Sequence, residues 1–290
     1  MKYTTLPNTD IKVSKICLGT MTFGQQNSES EGHAQMDYAL EKGVNFFDTA
    51  EMYSIPSREE TYGSTEKIIG TWFKKTGRRE EVVLASKIAG PNPLFGYMRE
   101  KLDFSPASIK YALDKSLERL QTDYLDIYQL HWPERKTNCF GQRGLKVQDD
   151  AWEDNFHEVL ETLDGLVKVG KIKHVGVSNE NPWGLMRFLE ESKYNKLTRI
   201  KTIQNPYSLL NRLFENASAE VCLRENVGLL AYSPLAFGVL SGKFLTGESH
   251  PNARLSLFPQ YARYSSAQST EATKLYQKVA QKHGLTLTEL

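Results

Sequence analysis

Cysteine is scarce in this chain. Only Cys17, Cys139 and Cys222 occur, far apart and without a C-x-x-C pair. This suits a reducing compartment better than a disulfide scaffold. Histidine is also thin. The six residues at 33, 131, 157, 174, 250 and 283 include no H-E-x-x-H and no paired spacing, so no metal site is expected. No apolar run approaches the ~18 residues of a membrane span. The N-terminus, MKYTTLPNTD, lacks the apolar segment of a signal peptide. A cytoplasmic protein with no membrane contact is expected. An excess of one charge is missing as well: the net charge of +1 gives no pull toward nucleic acid. G-x-G-x-x-G, G-x-x-x-x-G-K-[ST] and G-x-S-x-G are all absent. The standard Rossmann and P-loop phosphate cradles and the hydrolase elbow are therefore excluded.

What is present is ordinary globular composition, 40% hydrophobic and 24% charged over 290 residues. That length suits one α/β barrel domain, 1–290, with a core large enough to need no staples. KYTTL and IKVSKI alternate on either side of the turn-rich PNTD and predict an N-terminal β-hairpin. Apolar or β-branched runs then recur: ICLGT from Ile16, VNFFDTA from Val44, VVLASKI from Val82, YLDIYQLHW from Tyr124, HVGVSN from His174, IKTIQNPYS from Ile200 and GLLAYSPLA from Gly228. Helical patterns separate them, several closing on a glycine at Gly43, Gly77, Gly170 or Gly228. The runs are continuous rather than alternating, as strands buried on both faces should be. The leading fold is a (β/α)8 TIM barrel, with an open doubly wound sheet second. Long loops are expected at 91–106, 133–152 and 236–266.

Every run ends in polar or small residues, and barrel active sites lie at the C-terminal ends of the strands. Asp48, Tyr53, Lys87 and His131 would share that rim. Singly, each has a bland reading: a turn aspartate, a loop-packing tyrosine, a surface lysine, a core histidine. Jointly they make a proton donor. A phenol is a poor acid at neutral pH, and a nearby ammonium lowers its pKa. A carboxylate holds the ammonium in place, and an imidazole orients a carbonyl or relays a proton. Carbonyl reduction needs this chemistry.

The stretches LGTMTFG (18–24), FFDTAEMYS (46–54), ASK (85–87), LQTDYLDIYQLHWP (120–133), IKHVGVSN (172–179), IQNPYSLLNR (203–212) and AYSPLAFGVLSGK (231–243) together resemble the aldo-keto reductases, and among them the bacterial Tas-like proteins. The likeness runs collinearly through nearly the whole chain. It implies an NADPH-dependent oxidoreductase that reduces aldehydes and ketones to alcohols. Asp48, Tyr53, Lys87 and His131 would be the catalytic tetrad, with Tyr53 the proton donor. Ser178, Asn179 and Gln204 would hold the nicotinamide carboxamide, and Tyr232 would stack under its ring. Ser233, Leu235, Gly238 and Lys243 would wrap the pyrophosphate, and Arg254 would lie toward the adenosine. Thr20 and Met21 would approach the nicotinamide ribose, and Asp48 would also contact the cofactor. Trp132, with Tyr53 and His131, would line the pocket of a small-molecule carbonyl substrate.

The last helical pattern, SAQSTEATKLYQKVAQKHG, is followed by LTLTEL, whose Thr286-x-x-Glu289 has the form of a capping box. An eighth strand and final helix are expected to be lacking, which would leave two open edges, favour self-association and loosen the grip on the adenosine 2′-phosphate. The alternative is a weakly active or inactive reductase-like binding or regulatory protein.

Overall fold

The computed structural model describes residues 1–140, 142, 144 and 151–290. The expected hairpin is β1 (Tyr3–Thr5) antiparallel to β2 (Lys12–Ser14), with Thr4 opposite Val13. Seven strands follow: β3 (Cys17–Gly19), β4 (Phe46–Asp48), β5 (Val83–Ile88), β6 (Leu125–Leu130), β7 (Ile172–Ser178), β8 (Ile200–Pro206) and β9 (Gly228–Tyr232). Each pairs in parallel with the next, in chain order. Between them run α1 (Glu29–Glu41), α2 (Ser64–Thr76), α3 (Pro106–Leu120), α4 (Phe156–Lys168), α5 (Pro182–Asn195) and α6 (Ser218–Glu225). This is an α/β fold whose sheet is a curled, seven-stranded parallel half-barrel of TIM type. A doubly wound sheet would reverse its strand order at a switch point, and among the described residues none is seen. Among the described residues β3 and β9 are the outer strands, and they do not pair with each other.

Local chemistry explains the helix ends. Ser28 caps α1: its hydroxyl accepts from the Glu31 amide, and Glu31 accepts from the Ser28 amide at 2.7 Å. Gly43, Gly77 and Gly170 adopt the left-handed conformation expected of them. Gly228 does not; the left-handed cap of α6 is Asn226 (φ 50°), and Gly228 opens β9. Asn tolerates that conformation nearly as well as Gly, which is why the position was misread. Thr286 and Glu289 do form the reciprocal hydrogen bonds of a capping box. The loop expected at 236–266 carries short helical turns and α7 (Arg254–Leu257), before α8 (Ala267–Lys282). The loop expected at 133–152 lies partly outside the described residues.

The pleat sorts the strand side chains into two cores. Phe47, Leu84, Ile88, Tyr128, Leu130, Val177 and Ile203 pack outward under the helices. Phe46, Ala85 and Ile127 pack inward on Leu6 and Val13 of the hairpin, which plugs the N-terminal end. Side chains alternate along a strand. Inward parity therefore extends from Phe46 to Asp48, from Ala85 to Lys87, and from Ile127 to Gln129 and His131. That parity brings polar groups from separate strands to one rim.

Candidate active site

Asp48 closes β4 level with Gly19 and Ala85, and Lys87 lies one layer higher opposite Gln129. Lys87 has no solvent exposure, so the surface-lysine reading is wrong. Its ammonium donates to Asp48 Oδ2 at 2.6 Å and to the Thr49 carbonyl at 2.7 Å. Burial opposes the ammonium, but Asp48 and then Tyr53 outweigh it and hold the pKa above that of an ordinary lysine. Asp48 Oδ1 in turn accepts from Gln129 Nε2 at 3.1 Å and Gln204 Nε2 at 2.9 Å. The carboxylate is thus held from β5, β6 and β8, and its burial is compensated at both oxygens.

Tyr53 follows in the turn after β4. The Lys87 Nζ sits 4.9 Å from its ring centroid, and the His131 ring meets it edge-on at 5.6 Å. Burial pushes the Tyr53 phenol above its ordinary pKa; Lys87 offsets part of this and Asp48 adds to it. The ammonium acts in the expected direction, but the net shift is upward because the ring is almost wholly buried. His131 is also buried. Burial and then the Lys87 charge hold its pKa well below that of a free imidazole, so it is neutral at pH 7. Its Nδ1 has no hydrogen-bond partner. Trp132 donates from Nε1 to the Pro91 carbonyl at 3.1 Å and stacks obliquely on His131 at 5.0 Å. Gly90 makes room for it, since a Cβ there would lie 2.6 Å from that indole nitrogen.

Asp48, Tyr53, His131, Trp132 and Gln204 face a cavity of about 1770 Å³ at the strand ends, which also opens between β3 and β9 down to Thr4–Pro7 of the hairpin. That volume joins the strand-end cleft to the opening between β3 and β9. Thr20, Met21, Asp48, Tyr53, His131, Trp132, Ser178, Asn179, Gln204, Tyr232, Ser233 and Arg254 all line it. Leu235, Gly238 and Lys243 are not among the lining residues; Lys243 lies over Phe244, 5.4 Å from the ring centroid. Thr20 has its hydroxyl on the Asp48 carbonyl at 2.9 Å, so it braces the end of β4.

A nicotinamide carboxamide needs an acceptor for its NH2 and a donor for its oxygen. Asn179 Nδ2 reaches the His131 carbonyl at 2.9 Å and Ser178 Oγ at 3.1 Å, while its Oδ1 accepts from Tyr232 OH at 2.7 Å. These links present the Asn179 amide, Ser178 hydroxyl and Tyr232 ring on one wall. Burial raises the Tyr232 phenol pKa, so it remains an uncharged surface for stacking. Gln204 spends Nε2 on Asp48 and keeps Oε1 as an acceptor. After β9 the chain turns through Ser233 (φ 55°), Ala236 (φ 49°) and Phe237 (φ 58°). Such strained non-glycine backbone clusters at ligand sites. The free Gln204 acceptor and the uncharged Tyr232 ring fit the carboxamide NH2 and the ring of a nicotinamide.

Gln129 escaped the sequence reading, although one amide inside a continuously buried run was a usable signal. So did Glu51 and Arg99. Their ion pair, at 2.6 Å and almost wholly buried, ties the Asp48–Tyr53 turn to the loop after β5. Sequence carries no mark of that pairing across 48 positions.

The aldo/keto reductase family model matches residues 15–290. The chain is 48% identical over 287 residues to Protein tas of Escherichia coli (strain K12), spanning 98% of this chain and 83% of that protein. It is 37% identical over 254 residues to the uncharacterized oxidoreductase YrpG of Bacillus subtilis (strain 168), spanning 84% and 70%. It is 27% identical over 299 residues to norsolorinic acid reductase B of Dothistroma septosporum, spanning 98% and 68%. Among the described residues no helix is long and apolar enough to cross a membrane. Matched along nearly its whole length, and carrying an ionisable cluster at the rim of a parallel half-barrel, this chain belongs to the aldo/keto reductase family, oxidoreductases that typically use NAD(P)H.

Proposed function

We propose that the protein is an NADPH-dependent reductase of aldehydes and ketones in which Tyr53 is the general acid. The observation that carries this reading is the buried Asp48–Lys87 pair set against the Tyr53 ring and opening on the cavity. NADPH, when bound, supplies the hydride to the carbonyl carbon. Ser178, Asn179 and Gln204 would hold its carboxamide and Tyr232 its ring. By the family resemblance Ser233, Leu235, Gly238 and Lys243 would wrap its pyrophosphate, and Arg254 would lie toward its adenosine.

The rest of the step falls to the protein. As the C=O π electrons move onto oxygen, Tyr53 gives that oxygen its proton and an alcohol results. The raised phenol pKa keeps this proton in place at neutral pH. The Lys87 ammonium then stabilises the phenolate that is left, and solvent returns the proton. Asp48 keeps Lys87 charged and aimed. His131, neutral, orients the carbonyl with its ring N–H, and Trp132 walls the pocket. A positioned acid of this kind contributes about 10²–10⁴ in rate. The assembled cluster supports turnover over the alternative of binding alone.

The test is NADPH titration by cofactor fluorescence, with NADPH consumption on a panel of aromatic and aliphatic aldehydes. Wild-type protein should bind and turn over. Tyr53→Phe should bind NADPH with near-native affinity and lose turnover by at least about 10². Undiminished turnover in that variant removes the general-acid role, and no saturable wild-type binding removes the reductase reading.

A further inference from the structure

We propose that Arg263 is a second phosphate-binding residue, which with Arg254 grips a phosphoryl group of the dinucleotide; this rests on the function proposed above. Arg263 and Arg254 both line the cavity. Each guanidinium lies 5.6 Å from the centroid of Phe237, and Arg263 also lies 5.9 Å from that of Tyr264. Phe237 is therefore a shared platform for two positive charges.

What sets this pair apart is its lack of counterions among the described residues. The other inward-lying arginines each meet a carboxylate: Arg79 with Asp126, Arg99 with Glu51, Arg119 with Glu66 and Arg135 with Glu180. Among the described residues neither Arg254 nor Arg263 makes such a pair. Two cations on one ring repel each other, and Arg263 Nη1 is buried with no hydrogen-bond acceptor. A buried donor without an acceptor is rare enough to call for one from outside the chain. Two planar forks offer more N–H groups than the two oxygens of a carboxylate can take, whereas a phosphoryl group matches them. The placement agrees with this. Arg263 is near enough to Tyr232 to counter part of the burial that raises that phenol's pKa, and Arg254 acts likewise on Tyr53. The positive charge thus flanks the wall assigned to the cofactor.

The experiment titrates NADPH into wild-type protein, Arg263→Met and Arg263→Lys at several salt concentrations. Unfolding midpoints of the cofactor-free proteins are measured alongside. Methionine keeps the apolar stem over Phe237 but removes the fork. The Kd should rise about tenfold to a hundredfold in Arg263→Met and less in Arg263→Lys. Its salt dependence should weaken, and the free protein should unfold at the wild-type temperature or above. A wild-type Kd in Arg263→Met overturns the assignment. So does a loss of affinity that tracks a lowered unfolding midpoint, since that marks a structural arginine. An unchanged Kd with KM raised for 4-carboxybenzaldehyde but not benzaldehyde also overturns it, placing Arg263 on the substrate. If wild-type protein binds no NADPH, the proposed function itself fails and this assignment with it. The first three outcomes leave that function standing.

Discussion

Replacing Lys87 by methionine should destabilise the protein by about 3 kcal/mol, the low end of the range for breaking a buried ion pair. The low end applies because Asp48 would keep two amide donors, Gln129 and Gln204, on Oδ1 while losing the ammonium from Oδ2. Asp48→Asn should cost about as much, for the opposite reason: it leaves a wholly buried ammonium with only the Thr49 carbonyl. The double variant removes both charges. Its asparagine oxygen can still accept from the two glutamines, so it should be only about 1 kcal/mol less stable than wild type. Coupling between the sites would then be about 5 kcal/mol, above the usual range for contacting pairs because each single variant strands a charge. Urea denaturation followed by tryptophan fluorescence reads all four proteins. Alkaline pH sharpens the test. With Asp48 gone, burial should depress the Lys87 pKa below its unfolded value. The unfolded chain then holds the extra proton, and Asp48→Asn should gain stability as pH rises from 7 to 9. In wild type the folded Lys87 pKa is raised, so its contribution is full below the ordinary lysine value and fades only above it. A Lys87→Met protein as stable as wild type, or costs that simply add in the double variant, would refute the idea that this pair is a desolvated, mutually dependent unit.

Three further outcomes are expected. His131 is neutral when folded, with its pKa well below the ordinary value, so the unfolded state binds the extra proton as pH falls below about 6.5. Wild-type stability should drop by about 1.4 kcal/mol between pH 7.5 and 5.5 relative to His131→Asn, and parallel pH profiles in urea would contradict the assignment. Gly70→Ala places a Cβ 2.2 Å from the Arg119 carbonyl, where α2 meets α3, and should cost about 1–3 kcal/mol by overpacking, read as a lowered Tm. Gly90→Ala places a Cβ 2.6 Å from Trp132 Nε1 and should displace that indole. KM for aromatic aldehydes should then rise while kcat is largely kept, and unchanged kinetics would remove Trp132 from the substrate wall.

The (β/α) rhythm was legible because buried parallel strands must be apolar on both faces and because caps such as Ser28 and Gly77 mark helix ends locally. The clustered rim positions were legible because Asp48, Lys87 and His131 are polar residues where continuous apolar runs stop. Boundaries were blurred where chemistry is degenerate, as at Asn226 and Gly228, and where short helical turns replaced an expected loop at 236–266. Other features had no local mark. Lys87 reads alike on a surface and in a core, and only the inward parity of β5, closed over by β4 and β6, buries it. Gln129 and Gln204 meet at Asp48 because strands distant in the chain curl around one interior. The net upward shift of Tyr53 and the neutrality of His131 are set by desolvation, which depends on everything packed around a group rather than on its neighbours in sequence. That Arg254 and Arg263 meet no carboxylate among the described residues is likewise a fact of tertiary placement. Sequence alone determined which elements form and which chemical groups stand at their ends, since backbone propensity and side-chain period act over a few residues. Tertiary structure alone decided which of those groups are buried, paired or left without a partner, because burial and electrostatics act through space.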